Sequence, residues 1–193
     1  MFKPRKKKQS DPAEPEKKKK SKNKKPVTFV SELMYLVSKI CIIVVIIAIL
    51  FTFVFGLYRV SDNTMTPNVK DGDLLLTYRI DKEYAVNDII IVKINGKNEV
   101  RRVVAVAGDK VNITKAGLQV NGTHIVEENI TESTYQLNTG GKHIIFPMTV
   151  PEGEVFVLGD ARQHTDDSRI YGCVSIADAT RGTAITVLRH RGL

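Results

Sequence analysis

The chain has 193 residues, 42% of them hydrophobic, with 29 Lys/Arg against 21 Asp/Glu and a formal net charge of +8, a length that holds one compact domain of ordinary size and a membrane anchor. Twelve of the bases and three of the acids fall within residues 1–25, leaving 17 bases and 18 acids in the other 168 residues; the positive charge belongs to a tail, and a domain-wide nucleic-acid surface is excluded. Cys41 and Cys173 stand far apart with no CxxC, and His124, His143 and His190 are scattered without ligand spacing, so neither a disulfide framework nor a metal or other cofactor is expected.

Residues 1–26 form a low-complexity basic tail broken by Pro4, Pro12, Pro15 and Pro26. It has too few apolar residues to build a core and reads as a disordered topology signal able to meet anionic lipid. Residues 27–59 read as a membrane-anchor helix. Its centre, Ile40–Leu57, carries no charge, and 18 residues at about 1.5 Å each span roughly 27 Å, close to the hydrocarbon thickness. Tyr58-Arg59-Val60 follows in place of an A-x-A cleavage site, which argues for a retained anchor. The bases precede the helix, so the positive-inside rule predicts a single-pass protein of a bacterial cell membrane, with a cytoplasmic N-terminus and residues 60–193 outside.

Past Val60 the pattern changes to short β-rich runs: Asp73–Tyr78, Asp88–Ile94, Val100–Ala107, Lys110–Thr114, Gly117–Val120, Glu154–Leu158 and Ile185–Arg189. Asn95-Gly96 and Asn121-Gly122 are hairpin turn signals. Residues 123–150 are polar and irregular and read as a small cap insertion. The predicted architecture is a mainly β domain of barrel-like or coiled sheets behind one transmembrane helix.

Three segments carry the chemistry. The first is Thr64-Met65-Thr66-Pro67, leading into Lys70-Asp71-Gly72-Asp73. The second runs from Asn87-Asp88-Ile89-Ile90 to Val100-Arg101-Arg102-Val103 and Gly108-Asp109. The third is Gly159-Asp160-Ala161-Arg162-Gln163-His164-Thr165-Asp166-Asp167-Ser168-Arg169, closed by Gly172. In this order, behind an anchor, they resemble the boxes of bacterial type I signal peptidases (peptidase family S26), and the resemblance covers about residues 30–190. It implies a LexA-like β fold, a groove for an extended peptide, and secretory precursors as partners.

That family works with a serine nucleophile and a lysine general base, which must be neutral to take the serine proton. On the resemblance, Thr64 falls on the serine and Arg101 on the lysine. Threonine keeps a hydroxyl, but a guanidinium stays charged at any physiological pH and cannot act as the base. Asp62 stands where relatives carry Gly or Ser near the oxyanion, and a carboxylate there is repulsive. Two arrangements are open to it: a bidentate ion pair with Arg101, or both side chains turned to water. The resemblance further implies that Thr165 supplies the hydroxyl that orients the base position, and that Met65 and Pro67 line the groove. Asp160, Arg162, Asp167, Ser168 and Arg169 match the last box and shape the site, with Asp167 and Arg169 as its ion pair. His164 is the one candidate for a substitute base.

Two functions follow. The chain resembles dyad-degenerate Gram-positive proteins that hold extended precursors and assist surface-protein or pilus assembly, with pilin precursors and sortase-dependent machinery as partners. The alternative is an active signal peptidase I with Thr64 as nucleophile.

Overall fold

The computed structural model describes residues 29–127, 130, 132–136 and 144–189. The basic tail, part of the 123–150 cap, His143 and His190 lie outside them. A helix, α1 (Phe29–Ile49), passes into a π-helical turn at Leu50–Val54. Together they form a span with mean hydropathy 2.9 in its most apolar window. Among the described residues this is the one helix long and apolar enough to cross a membrane. The run holds no Pro or Gly before Gly56, and its apolar side chains are exposed, as lipid contact requires. Thr52 Oγ1 donates back to Ala48 O at 2.6 Å in the last turn.

The helix ends sooner than the apolar pattern predicts. Phe55–Arg59 is a strand, β1, laid antiparallel on β2 (Leu74–Tyr78) in the register Phe55↔Tyr78 to Arg59↔Leu74. Hydropathy cannot separate a helix from a strand in such a run. The decision falls to β2, whose ladder groups on this side find their partners in β1.

The described residues from Ile43 onward form one compact unit, and most of it is β. The other strands are β3 (Ile89–Ile94), β4 (Lys97–Val106), β5 (Lys110–Thr114), β6 (Gly117–Val120), β7 (Thr123–His124), β8 (Met148–Thr149), β9 (Glu154–Leu158), β10 (Val174–Ser175) and β11 (Thr180–Leu188). They build a seven-stranded sheet in the order β1-β2-β11-β3-β4-β9-β10 and a four-stranded sheet in the order β7-β6-β5-β8. Two short helices, α2 (Ser168–Tyr171) and α3 (Ile176–Ala179), flank β10. The β3–β4 hairpin turns on Asn95 and Gly96 at φ 49° and 84°, and β6–β7 on Asn121 and Gly122 at 53° and 81°. Both have the positive-φ pair of a type I′ turn.

Three apolar clusters fill the domain. One lies between the sheets and joins Val104, Ala105, Ile113, Leu118 and Phe156. A second gathers Ile90, Val92, Val103, Val157 and Val174. The third holds Val60, Met65, Val69, Leu75 and Val100. A bulge in β4 between Val103 and Ala105, opposite β9, breaks the strict alternation of faces. Val103 therefore joins the second cluster while Val104 and Ala105 face the first.

Candidate active site

The loop 60–73 is closed at its base by Val60 N–H to Asp73 O at 2.9 Å and Gly72 N–H to Val60 O at 3.0 Å. The side chains of Met65 and Val69, both fully buried, plug it into the third cluster. This burial corrects the expectation that Met65 lines the groove: it anchors the loop from beneath, while Pro67 lines the cleft. The cleft has a volume of about 790 Å³. Thr64, Thr66, Pro67 and Lys70 face it from the loop, Asp160, Ala161 and His164 from the third box, and Glu132 from the cap.

Thr64 is fixed from both sides. Its carbonyl accepts Ala161 N–H at 2.9 Å and the Thr165 hydroxyl at 3.2 Å. Its own hydroxyl accepts Arg101 Nη1 at 3.0 Å and donates to Asp62 Oδ1 at 2.6 Å. Asp62 Oδ1 also takes Thr64 N–H at 3.0 Å, a short Asx-type turn that holds the carboxylate over the hydroxyl.

Arg101 projects from β4 and is only 2% exposed. Nε and Nη2 donate to Asp166 O at 3.1 and 2.8 Å, Nη2 also to Glu99 Oε2 at 2.8 Å, and Nη1 to Val100 O at 2.6 Å as well as to Thr64. A guanidinium has five N–H donors, and these five bonds use them all. The ion-pair partner of Arg101 is thus Glu99, not Asp62. Glu99 precedes Arg101 by two on one strand, so the two side chains share a face. Asp62 meets the cation only through the intervening Thr64 hydroxyl. Burial pushes the Glu99 carboxyl above its ordinary range, and Arg101 pulls it part of the way back.

Thr165 also differs from expectation. Its hydroxyl donates to Ala161 O at 2.6 Å and to Thr64 O, so it clamps the loop and leaves Arg101 to be oriented by the Asp166 carbonyl. Asp160 is matched with Arg102, whose Nε and Nη2 reach its two oxygens at 2.8 and 2.6 Å, and Asn68 adds a third bond at 2.8 Å. Asp167 and Arg169 form a fully buried bidentate pair at 2.8 and 2.7 Å, and Asp167 caps α2. Ser168 accepts Val157 N–H at 2.9 Å. Arg162, fully buried, reaches Gly159 O, Thr134 and Glu127, and Arg169 reaches Tyr135 O. The third box thereby holds the described part of the cap, and Glu132 takes Gln163 N–H at 2.9 Å.

Sequence reasoning missed Glu99, Arg102, Asn68 and Glu132. The first was open to a period-2 reading of β4, and the others depend on tertiary approach. Among the described residues no group of three or more His, Cys, Asp or Glu is placed to hold a metal.

The described residues thus combine an apolar N-terminal helix with a mainly β domain whose loop hydroxyl at Thr64 is set against a buried strand cation at the edge of a cleft of about 790 Å³. Residues 33–188 match the profile of the family described as "Signal peptidase, peptidase S26". The chain is 34% identical over 140 residues to a signal peptidase I of Bacillus licheniformis, covering 68% of this chain and 75% of that one. It is 33% identical over 144 residues to a signal peptidase I of Bacillus caldolyticus, covering 69% and 79%. A crystal structure of a signal peptidase I from Enterococcus faecalis V583 matches at 29% identity, over 54% of this chain and 97% of that one, with a TM-score of 0.42. The chain belongs to the signal peptidase family, peptidase S26, and its apolar helix and the Bacillus relatives make it a membrane-anchored member.

Proposed function

We propose that this protein binds extended segments of secretory or pilin precursors at the outer membrane surface without cutting them, and so assists assembly of surface proteins or pili. In this reading the N-terminus is cytoplasmic and the β domain lies outside. The observation that carries it is the Arg101 guanidinium 3.0 Å from the Thr64 hydroxyl, with its other donors committed. A permanent cation that donates to the oxygen cannot also remove its proton. Loss of the general base costs about 10²–10⁴ in rate. The Asp62 carboxylate beside the same oxygen opposes the charge that develops during acyl transfer. The cleft supports binding. At about 790 Å³ it is large enough for side chains of an extended segment.

One observation favours an active enzyme as the second reading: the Thr64 hydroxyl points its proton at Asp62 Oδ1 from 2.6 Å, the geometry of a proton acceptor. The test is the purified full-length chain in lipid nanodiscs with a fluorogenic signal-peptide precursor. The binding role predicts saturable association with cleavage at background. Turnover above background that disappears in Thr64→Ala and Asp62→Asn overturns it in favour of the enzyme.

A further inference from the structure

Where the chain leaves the span lies a second cavity, of about 270 Å³, lined by Leu57, Tyr58, Thr77, Arg79, Asn98 and Arg181 among others. Its depth is set by Arg79. The backbone N–H of Arg79 donates to Val54 O at 2.9 Å, and its Nη1 to Thr52 O at 3.3 Å. Both carbonyls belong to the last turn of the apolar span. Phe51, Phe55 and Tyr78 pack at the same level, with centroids 6.3 and 5.9 Å apart, as in the aromatic belt of a membrane–water boundary. The cavity therefore opens at the level of the lipid headgroups.

The seat of Arg79 is built into β1. A Cβ at Gly56 would lie 2.5 and 2.6 Å from the Arg79 guanidinium nitrogens and 2.7 Å from Thr77 Oγ1, whereas at Gly182, where φ is 132°, it would meet the Tyr78 carbonyl oxygen at 2.5 Å. Glycine at 56 lets the Arg79 side chain lie flat against β1. The four ion pairs among the described residues use Arg101, Arg102, Arg162 and Arg169. Among the described residues, Arg79 and Arg181 make side-chain bonds only to the Thr52 and Thr180 carbonyls. Glu99, the acid next to Asn98, is held by Arg101. Two guanidinium groups thus face one cavity with N–H donors to spare, and such forks match phosphate oxygens. Beside them Leu57 is 55% exposed and Phe53 70%, an apolar surface leading from the cavity toward the span.

We propose that this cavity is a binding site for the phosphate of an anionic phospholipid of the phosphatidylglycerol class, with the acyl chains lying along Leu57 and Phe53. A bound lipid would tie the β domain to the bilayer at a fixed height and keep the cleft in reach of membrane-tethered precursors.

The test uses the delipidated full-length chain in neutral detergent, titrated with phosphatidylglycerol or phosphatidylcholine and read by native mass spectrometry. The wild type binds one phosphatidylglycerol at least tenfold more tightly than phosphatidylcholine, each base near the surface contributing about fivefold. R79Q/R181Q loses the preference, while K110Q/K115Q, which removes the same charge elsewhere and leaves the basic tail intact, keeps it. Gly56→Ala changes no charge but displaces the Arg79 guanidinium and lowers the preference as well; circular dichroism confirms that each variant is folded. An unchanged preference in folded R79Q/R181Q, or an equal loss in K110Q/K115Q, overturns the proposal. So does displacement of the lipid by inorganic phosphate or glycerol phosphate at concentrations no higher than that of the lipid, which would assign the site to a soluble anion.

Discussion

Replacing Arg101 by methionine keeps most of the buried volume and removes the charge. In the native site that charge meets Glu99 Oε2 at 2.8 Å and makes four further hydrogen bonds. Deleting one member of a buried pair costs about 3–5 kcal/mol. The Glu99 side chain keeps 23% of its exposure, so water relieves part of the penalty and the expected loss is about 3 kcal/mol, or roughly 6–12 °C in Tm for a domain of this size. The sign of the pH dependence follows from Glu99. Burial already holds its carboxyl above the ordinary value of 4.5. Its ionisation therefore weakens the fold as pH rises through the shifted value, and its contribution is most favourable below the ordinary one. Without Arg101 only the weaker attraction of Lys97 opposes burial, and the carboxyl moves higher still. The deficit of Arg101→Met should be largest near pH 8, shrink toward pH 4, and be largely repaired at pH 8 by adding Glu99→Gln. Thermal melts of the full chain in detergent, followed by circular dichroism at several pH values, measure this. A variant that melts with the wild type at pH 8, or a deficit that grows on acidification, refutes the assignment of Glu99 and Arg101 as one coupled unit.

Three further outcomes are expected. Thr64→Ser with Arg101→Lys should not recover proteolysis even with Asp62→Gly, because Glu99 would keep the new lysine charged. Adding Glu99→Leu should raise reporter cleavage at least tenfold over that triple variant, and equal rates in the two would remove Glu99 from the account. Gly159→Ala should lower stability by about 1–3 kcal/mol in urea titrations, since a Cβ there runs into the Thr165 side chain that clamps Thr64; wild-type stability would show that the clamp adapts. Burial, with Glu154 adding to it, pushes the Cys173 thiol from 9.0 up to about 11, so in a Cys41→Ser background its alkylation at pH 8 should be about 100-fold slower than in the urea-unfolded chain. Comparable rates would contradict that shift.

Much of the architecture was legible because it rests on local rules. The apolar run reads as a span, and the type I′ turns at Asn95-Gly96 and Asn121-Gly122 announce their hairpins. The runs that became β2 to β6 and β9 carry β propensity at the positions where the strands form. The fixed charge of Arg101 was equally legible, since the charge of a guanidinium does not depend on surroundings. Long-range approach decided the rest. Whether Phe55–Arg59 continues a helix or becomes a strand depends on the partner groups of Leu74–Tyr78, about twenty residues on. Met65, apolar beside Thr64, could face either the cleft or the core, and the packing around Val60, Leu75 and Val100 drew it inward. Asp62 and Glu99 are both acids within reach of one cation. Asp62 lies in a turn that satisfies it through Thr64, while Glu99 shares a strand face with Arg101. Residue type sets what charge each group carries. Its partner is set by which segments the folded sheets bring within about 3 Å, the range over which a hydrogen bond acts.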